Sequence, residues 1–251
     1  MDELTDDALT GRFRVWQRAG GHRYSLDDVL TAWEATRQGV GARRYLDLGC
    51  GIGSVLLMVL DRLSTVEAAV GVEAQELSFA LAERNVARNG LASAVRLVHG
   101  DLRDRALQAG LGIPFDLITG TPPYMPVGTS TPSPDPQRRY ARVELRGGVE
   151  DYLAAVGKLL ADGGRAVVCC DARTPERALE GARRAGLVAT RRRDVVGRVG
   201  QAALFSVWTF AREGSLEVAE PFVARDAEGR RTEDYFAVRT FFGLPPSRRP
   251  S

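Results

Sequence analysis

Lysine is almost missing from this sequence. Of its 34 lysine and arginine residues only Lys158 is a lysine, and 32 acidic residues bring the net charge to +2. A near-neutral balance gives no strong sign of a nucleic-acid protein, because phosphate binding usually leaves a clear basic excess. The arginines between positions 183 and 198 therefore leave two interpretations open, a solvated basic face and a nucleic-acid patch.

Cysteine and histidine are also scarce. The cysteines are Cys50, Cys169 and Cys170, and the histidines are His22 and His99. Adjacent residues of a strand point to opposite faces, so the neighbouring pair makes a poor disulfide. No cluster has the spacing of zinc ligands. The sequence therefore predicts reduced cysteines in the core and no metal site.

Long apolar runs are absent, which excludes a membrane-spanning helix in this sequence. The first residues, "MDELTDDALT", are acidic and lack the basic and apolar pattern of a secretory signal. The sequence therefore predicts a cytoplasmic protein. With 251 residues and 44% apolar content, the chain is long enough to bury the core of one large domain.

Apolar segments typical of strands alternate with periodic segments typical of helices. The helical segments are 54–63, 76–90 and the stretch "VEDYLAAVGKLLADGG", which we expect Gly163-Gly164 to end. This alternation predicts an α/β fold with a mostly parallel sheet, and a final antiparallel hairpin around Gly200. The predicted strands are 43–49, 68–73, 94–100, 115–120, 164–171, 187–197 and 203–211.

Glycines and acids follow successive strands. "LDLGCGIGS" carries Gly49, Gly51 and Gly53 between a strand and a helix, where glycine allows a tight turn close to a ligand. Glu73 ends the second strand and Asp101 follows the third. Because ligands of parallel sheets bind at the carboxyl ends of the strands, we expect a nucleoside site there, with Glu73 accepting hydrogen bonds from ribose hydroxyls.

The fourth strand ends in a stiff turn, "FDLITGTPPY" (115–124). Prolines hold the preceding backbone extended and present carbonyl oxygens at fixed positions. Such oxygens can hold the hydrogens of an amine, and Tyr124 can stack on a planar group. Thr121, Pro122, Pro123 and Tyr124 are therefore the predicted catalytic residues.

The segments "YLDLGCGIGS", "GVEA", "HGDL" and "FDLITGTPPY" together resemble the class I S-adenosylmethionine-dependent methyltransferases. The resemblance implies a three-layer α/β/α Rossmann-like sheet of seven strands with the last strand antiparallel. It implies S-adenosylmethionine as the cofactor and no metal. It places Asp47 and the glycine turn at the methionine part, Glu73 at the ribose, and Asp101 with Leu102 at the adenine.

The proline turn resembles the N-P-P-Y methyltransferases, and within them the tRNA adenine-N6 methyltransferases that act beside the anticodon. Residues 13–33 resemble their N-terminal lid and helix, and "RRYARVE" (138–144) resembles their R-x-x-A-R-H-E segment. The resemblance implies N-methylation of an adenine amine in tRNA or other structured RNA. Two departures are Thr121 in place of the motif asparagine and Val143 in place of the histidine.

These departures leave three functions open. The first is methylation of an RNA adenine; the second is methylation of an amine or hydroxyl on a small molecule or peptide; the third is a binding module without catalysis. We expect a monomer with three parts: a lid and helix (1–40), a methyltransferase domain (41–215), and a C-terminal extension and tail (216–251).

Overall fold

The computed structural model describes residues 3–112, 114–128 and 133–245. Eight strands of this part of the chain form one sheet, in the order β10-β8-β9-β7-β6-β3-β4-β5, and two form a separate hairpin, β1-β2. The strands are β1 (Leu4–Ala8), β2 (Arg14–Arg18), β3 (Arg44–Leu48), β4 (Ala68–Glu73), β5 (Val95–His99), β6 (Phe115–Gly120), β7 (Leu160–Asp171), β8 (Val188–Val196), β9 (Ala203–Ala211) and β10 (Glu217–Val223).

Helices cover both faces of the sheet, as a parallel sheet requires. None of those described is both long and apolar enough to span a membrane. The helices are α1 (Leu26–Gln38), α2 (Ser54–Arg62), α3 (Glu76–Arg88), α4 (Arg105–Gly110), α5 (Pro136–Arg142), α6 (Val149–Leu159), α7 (Pro175–Arg184) and α8 (Glu233–Phe241).

Strand directions match the predicted fold class, with one added strand. The pairs β3/β4, β4/β5, β3/β6 and β6/β7 are parallel, and β9 is antiparallel to both β7 and β8. The prediction of seven strands missed β10, which pairs in parallel with β8. Pro221 interrupts the apolar residues of this segment, and it is tolerated because β10 lies at the sheet edge.

The core forms two layers, one on each face of the sheet. One layer joins α1 and α2 to the sheet and includes Leu56 and Cys169; the other joins α6 and α7 to the opposite face and includes Leu153 and Cys170. The adjacent cysteines therefore point to opposite faces, as expected from strand alternation. Both are buried and free, as is Cys50.

Gly163-Gly164 does not end a helix, contrary to the prediction. Helix α6 ends at Leu159, and the two glycines lie within strand β7. The register with β6 jumps from Phe115↔Leu160 to Leu117↔Arg165, and Gly163 has a φ of +77°. The intervening residues form a bulge, which needs a residue that tolerates the left-handed conformation.

The N-terminal hairpin packs on α3. The side chain of Asn85 accepts a hydrogen bond from the Trp16 amide at 2.7 Å and donates one to the Trp16 carbonyl at 3.1 Å. The C-terminal segment contributes β10 and α8, and Val238 of α8 is buried in the first core layer. The predicted division at residues 40/41 and 215/216 stays a prediction, and most of the predicted tail, "GLPPSRRPS" (243–251), lies outside the described residues, which end at 245.

Candidate active site

Two adjoining chambers open at the carboxyl edge of the parallel strands. The first encloses about 900 Å³ and the second about 1100 Å³, both counted with the space open to solvent. Seven of the predicted site residues line the first chamber: Gly49, Gly51, Glu73, Asp101, Leu102, Thr121 and Pro123. Pro122 and Tyr124 line the second, whereas Asp47 and Gly53 line neither.

The glycine turn connects β3 to α2. Gly49, Gly51 and Gly53 have φ angles of +63°, +56° and +87°, which favour glycine over any residue with a Cβ. A Cβ at Gly49 would collide with the Tyr152 hydroxyl. A Cβ at Gly51 would meet no atom within 4 Å, so it would project into the chamber that Gly51 lines. The turn thus leaves room for a ligand at Gly51.

Glu73 is fixed by two backbone amides at the end of β4. Its Oε2 accepts a hydrogen bond from Gly51 N at 2.8 Å, and its Oε1 accepts one from Gln75 N at 2.6 Å. Burial raises the pKa of Glu73, and the two amides oppose that rise. Each carboxylate oxygen keeps a second lone pair, so Glu73 can still accept hydrogen bonds from the hydroxyls of a bound ribose.

Asp101 is engaged by Arg103 at the other end of the first chamber. The Arg103 guanidinium approaches Oδ2 at 2.7 Å, and the Arg103 amide donates to Oδ1 at 2.9 Å. This pairing lowers the pKa of Asp101, so the carboxylate is charged at neutral pH. Leu102 beside it is buried and gives the chamber an apolar surface.

Asp47 lies at the end of a buried chain of hydrogen bonds behind the glycine turn. Thr119 Oγ1 donates to Asp47 Oδ1 at 2.6 Å, so the Tyr45 hydroxyl, 2.7 Å from the same Oγ1, must be the donor of that second bond. Burial raises the pKa of Asp47 to about 7. Within the described residues no group donates a hydrogen bond to Asp47 Oδ2, which is also buried. A cationic group nearby would stabilise this carboxylate.

The two chambers adjoin at the proline turn, where they share lining residues. We call the neck the set of residues that line both chambers, and these are His22, Asp28, Thr121 and Ala141. Tyr124 stands in the second chamber beyond the neck, and burial raises the pKa of its hydroxyl, so the phenol stays neutral. Thr121 is thus the one predicted residue that faces both chambers.

Helix α5 covers the neck and is tied to the N-terminal segment. Gln137 is buried; its Oε1 accepts hydrogen bonds from Arg18 Nη1 at 3.1 Å and from the His22 amide at 3.2 Å, and its Nε2 donates to Ser78 Oγ. Arg18 also pairs with Asp135 at 2.8 Å. These bonds therefore hold helix α5, which follows the proline turn, over the chambers.

The sequence analysis missed several residues that line the chambers. His22 and Asp28 fall within the segment 13–33 and Gln137 directly precedes the segment 138–144, but the resemblance of these segments did not assign the three side chains to the site. For Tyr152 the sequence held an indirect sign, Gly120, because a glycine at a strand end often marks the close approach of another group. In the structure a Cβ at Gly120 would lie 2.7 Å from the Tyr152 ring.

Most arginines between 183 and 198 are held in ion pairs. Arg191 and Arg193 reach Glu34, whose side chain is only 1% exposed. Three carboxylates thus offset part of the charge of five arginines, which weakens the interpretation of this stretch as a nucleic-acid patch. The pairs are Arg183 and Arg184 with Glu180, Arg191 and Arg193 with Glu34, and Arg192 with Asp194.

The chain is similar to known methyltransferases. The family model "methyltransferase small domain" matches residues 31–131. A curated relative from Bacteroides thetaiotaomicron, named tRNA1(Val) (adenine(37)-N6)-methyltransferase, is 29% identical over 227 residues, covering 89% of this chain and 91% of the relative. These matches confirm the predicted resemblance, including its tRNA adenine-N6 type.

Two solved structures share the fold. A protein titled "predicted O-methyltransferase" from Agrobacterium tumefaciens has a TM-score of 0.64 at 17% identity, covering 89% of this chain and 99% of that one. TYW2 of M. jannaschii, solved in complex with AdoMet, has a TM-score of 0.56 at 14% identity, covering 85% and 88%. The predicted fold class is confirmed, with the added strand β10.

The residues present fit the predicted cofactor. The first chamber offers Glu73 to a ribose and the open space at Gly51 to a ligand. Asp47 lies behind the turn and lines neither chamber, so its buried, unpartnered oxygen does not face the ligand space. Among the described residues, no group of three or more His, Cys, Asp or Glu side chains could hold a metal ion.

Proposed function

We propose that this chain, an S-adenosylmethionine-dependent methyltransferase, methylates the exocyclic amine of an adenine in tRNA. The observation that carries the proposal is the neck, where Thr121 of the proline turn lines both chambers. A donor in one chamber and an acceptor in the other would meet there. The relative named above acts on an adenine N6 in a tRNA, and its similarity extends over most of both chains.

The first chamber would hold the cofactor, S-adenosylmethionine, which supplies an electrophilic methyl group on its sulfonium when bound. Glu73 would fix the ribose hydroxyls, and the amides of the glycine turn would approach the methionine part. Asp101 and Leu102 would flank the adenine. These residues position the cofactor and exclude water, which lowers the barrier by orientation rather than by covalent catalysis.

The second chamber would hold the target base. The lone pair of an adenine amine is conjugated with the ring, so the amine is a weak nucleophile. Hydrogen-bond acceptors aimed at its hydrogens favour a pyramidal nitrogen, and this stabilisation grows toward the transition state. The Pro122 carbonyl and the Thr121 hydroxyl would be two such acceptors, and Tyr124 would stack on the base. Thr121 is shorter than the asparagine of the related motif.

The basic approach to the second chamber comes from helix α5 rather than from residues 183–198. Arg138 and Arg142 line this chamber and are both exposed. Arg138 donates a hydrogen bond from Nε to the Gly21 carbonyl, which leaves further donors of its guanidinium for a phosphate. Two arginines at the mouth suit a nucleotide of a tRNA loop. A tRNA substrate agrees with the cytoplasmic location that the sequence predicts. The monomeric state stays a prediction.

Methylation of a small molecule or peptide is the second candidate. The observation that favours it is Thr121, because a hydroxyl can both donate and accept and so suits other acceptors than a base amine. The non-catalytic module has less support, since a protein without catalysis has no need of a complete cofactor chamber.

Methyl transfer from labelled cofactor tests the proposal. The purified chain is incubated with unmodified tRNA, and in parallel with a pool of small metabolites and with peptides. We expect label in tRNA, released by nuclease digestion as N6-methyladenosine. Tyr124→Ala should keep the affinity for the cofactor and lower turnover. Label in metabolites or peptides but not in tRNA would establish the second candidate instead.

A further inference from the structure

Asp28 is an ionisable side chain in the neck that neither the sequence analysis nor the proposed function uses. Of the four neck residues, Ala141 has no polar side-chain group, and burial lowers the pKa of His22, so that its ring is neutral at neutral pH. Asp28 alone contributes a carboxylate. Asp28 lines both chambers, at the boundary where the proposed function has donor and acceptor meet.

The backbone holds this carboxylate in place. Asp28 lies in the first turn of α1, and its Oδ2 accepts a hydrogen bond from the Ser25 amide at 2.9 Å. The residue is 8% exposed, and the Ser54 side chain adjoins it. An ionised carboxylate has about four lone-pair positions, so these contacts leave Asp28 able to accept a hydrogen bond from a ligand in the neck.

Two other carboxylates act on Asp28. Burial raises its pKa well above the ordinary value, and the neighbouring Asp27 raises it further, with a smaller contribution from Asp47. A cation in the neck would offset this repulsion and favour the ionised form. The sulfonium of S-adenosylmethionine is such a cation, whereas the thioether of S-adenosylhomocysteine is neutral.

We propose that Asp28 is a catalytic residue that accepts a hydrogen bond, and then the proton, from the target amine. The inference rests on the proposed function. The nitrogen lone pair forms the new bond to the methyl carbon, and the carbon–sulfur bond breaks with its electron pair passing to sulfur. The surplus proton on nitrogen passes to the Asp28 carboxylate. Thr121 is shorter than the asparagine of the related motif and is therefore a weaker hydrogen-bond acceptor for the amine. Asp28 supplies the strong acceptor in its place.

Two measurements on Asp28→Asn test this role. The first is the single-turnover rate of methyl transfer to tRNA, which we expect to fall at least about 100-fold, the scale of a lost acid–base group. The second is the ratio of the dissociation constants of S-adenosylhomocysteine and S-adenosylmethionine by calorimetry. A carboxylate beside the sulfonium favours the cation, so we expect Asp28→Asn to lower this ratio about tenfold.

A matched control is available at another helix start. Asp151 occupies the same position in α6, and its Oδ2 accepts a hydrogen bond from the Gly148 amide at 3.1 Å, but it lines neither chamber. Asp151→Asn should leave the rate and the ratio unchanged. If Asp28→Asn does not fold, Asp28→Ser replaces it, since a serine hydroxyl can still accept from the Ser25 amide.

A transfer rate within threefold of wild type in Asp28→Asn overturns the proposal, as does an unchanged ratio of dissociation constants. The two hypotheses fail differently. If the wild type methylates no tRNA, the proposed function fails, and the ratio alone then decides whether Asp28 stands beside the sulfonium. If the wild type methylates tRNA and Asp28→Asn does so equally well, only the role of Asp28 is lost.

Discussion

The carboxylate of Glu73 accepts a hydrogen bond from the backbone amide of Gly51, with 2.8 Å between Oε2 and N. This bond joins the end of β4 to the glycine turn after β3, so one side chain fixes the turn and faces the first chamber. Glu73→Ala should therefore weaken binding of S-adenosylmethionine by about 1–3 kcal/mol, measured by calorimetry. Glu67→Ala, which removes an exposed ion pair with Arg43, should leave that affinity unchanged. Equal affinities in both variants would contradict the ribose role.

Gly51 and Gly41 allow backbone strain to be separated from loss of the ligand space. Both have positive φ, +56° and +84°, and a Cβ on either meets no atom within 4 Å, but only Gly51 lines the first chamber. Valine at either position should destabilise the fold by at least about 1–2 kcal/mol through the left-handed conformation. Only Gly51→Val should abolish cofactor binding in calorimetry. Retained binding in Gly51→Val would place the ligand elsewhere.

Asp47 should make stability depend on pH. Its folded pKa is about 7 against an ordinary 3.8, so between these values the folded form holds a proton that the unfolded chain has lost. Stability from this group is complete below pH 3.8 and is lost as pH rises through about 7. Asp47→Asn removes this dependence. Between pH 5 and pH 8 the wild type should lose about 3 kcal/mol relative to the variant in urea unfolding without cofactor. Parallel pH profiles would contradict the raised pKa.

Thr121 distinguishes the two candidate functions. Thr121→Asn restores the carboxamide of the related motif and should raise the turnover on tRNA several-fold, because the amide oxygen reaches further toward the amine. Thr121→Val keeps the shape and removes the hydroxyl, so it should lower turnover. Neither change should alter cofactor affinity measured by calorimetry. A loss of activity in Thr121→Asn would instead indicate a chamber shaped for another acceptor.

Gln137 should control the closure of α5 over the neck. Gln137→Leu removes the hydrogen bonds of Gln137 to Arg18, the His22 amide and Ser78. The loss should lower the free energy of unfolding by about 1–3 kcal/mol. We expect faster amide hydrogen exchange in α5 and weaker cofactor binding. Gln108→Leu is the control for the exchange in α5, because Gln108 is another buried amide but bonds to Leu102 and Lys158 instead. Unchanged exchange in α5 would show that other contacts hold the helix.

The wrong predictions share one cause. Gly163-Gly164 follows a helical pattern and so suggested a helix end, but the two glycines serve a bulge that exists only because β7 pairs with β6. The arginines of residues 183–198 left two interpretations open, because one carboxylate that pairs with them, Glu34, comes from the distant helix α1. Strand β10 contains Pro221, which argues against a strand, and it forms because β8 offers it an edge.

The sequence by itself determined the alternation of strands and helices, the left-handed glycine turn, and the acids and prolines at strand ends. These features depend on the conformational limits of glycine and proline and on side-chain periodicity, which act within a few residues. The tertiary structure alone decided that Asp28, His22 and Ala141 meet Thr121 in one neck. Strand order, register and helix packing set that meeting, and they depend on burying the whole core at once, so no local pattern encodes them.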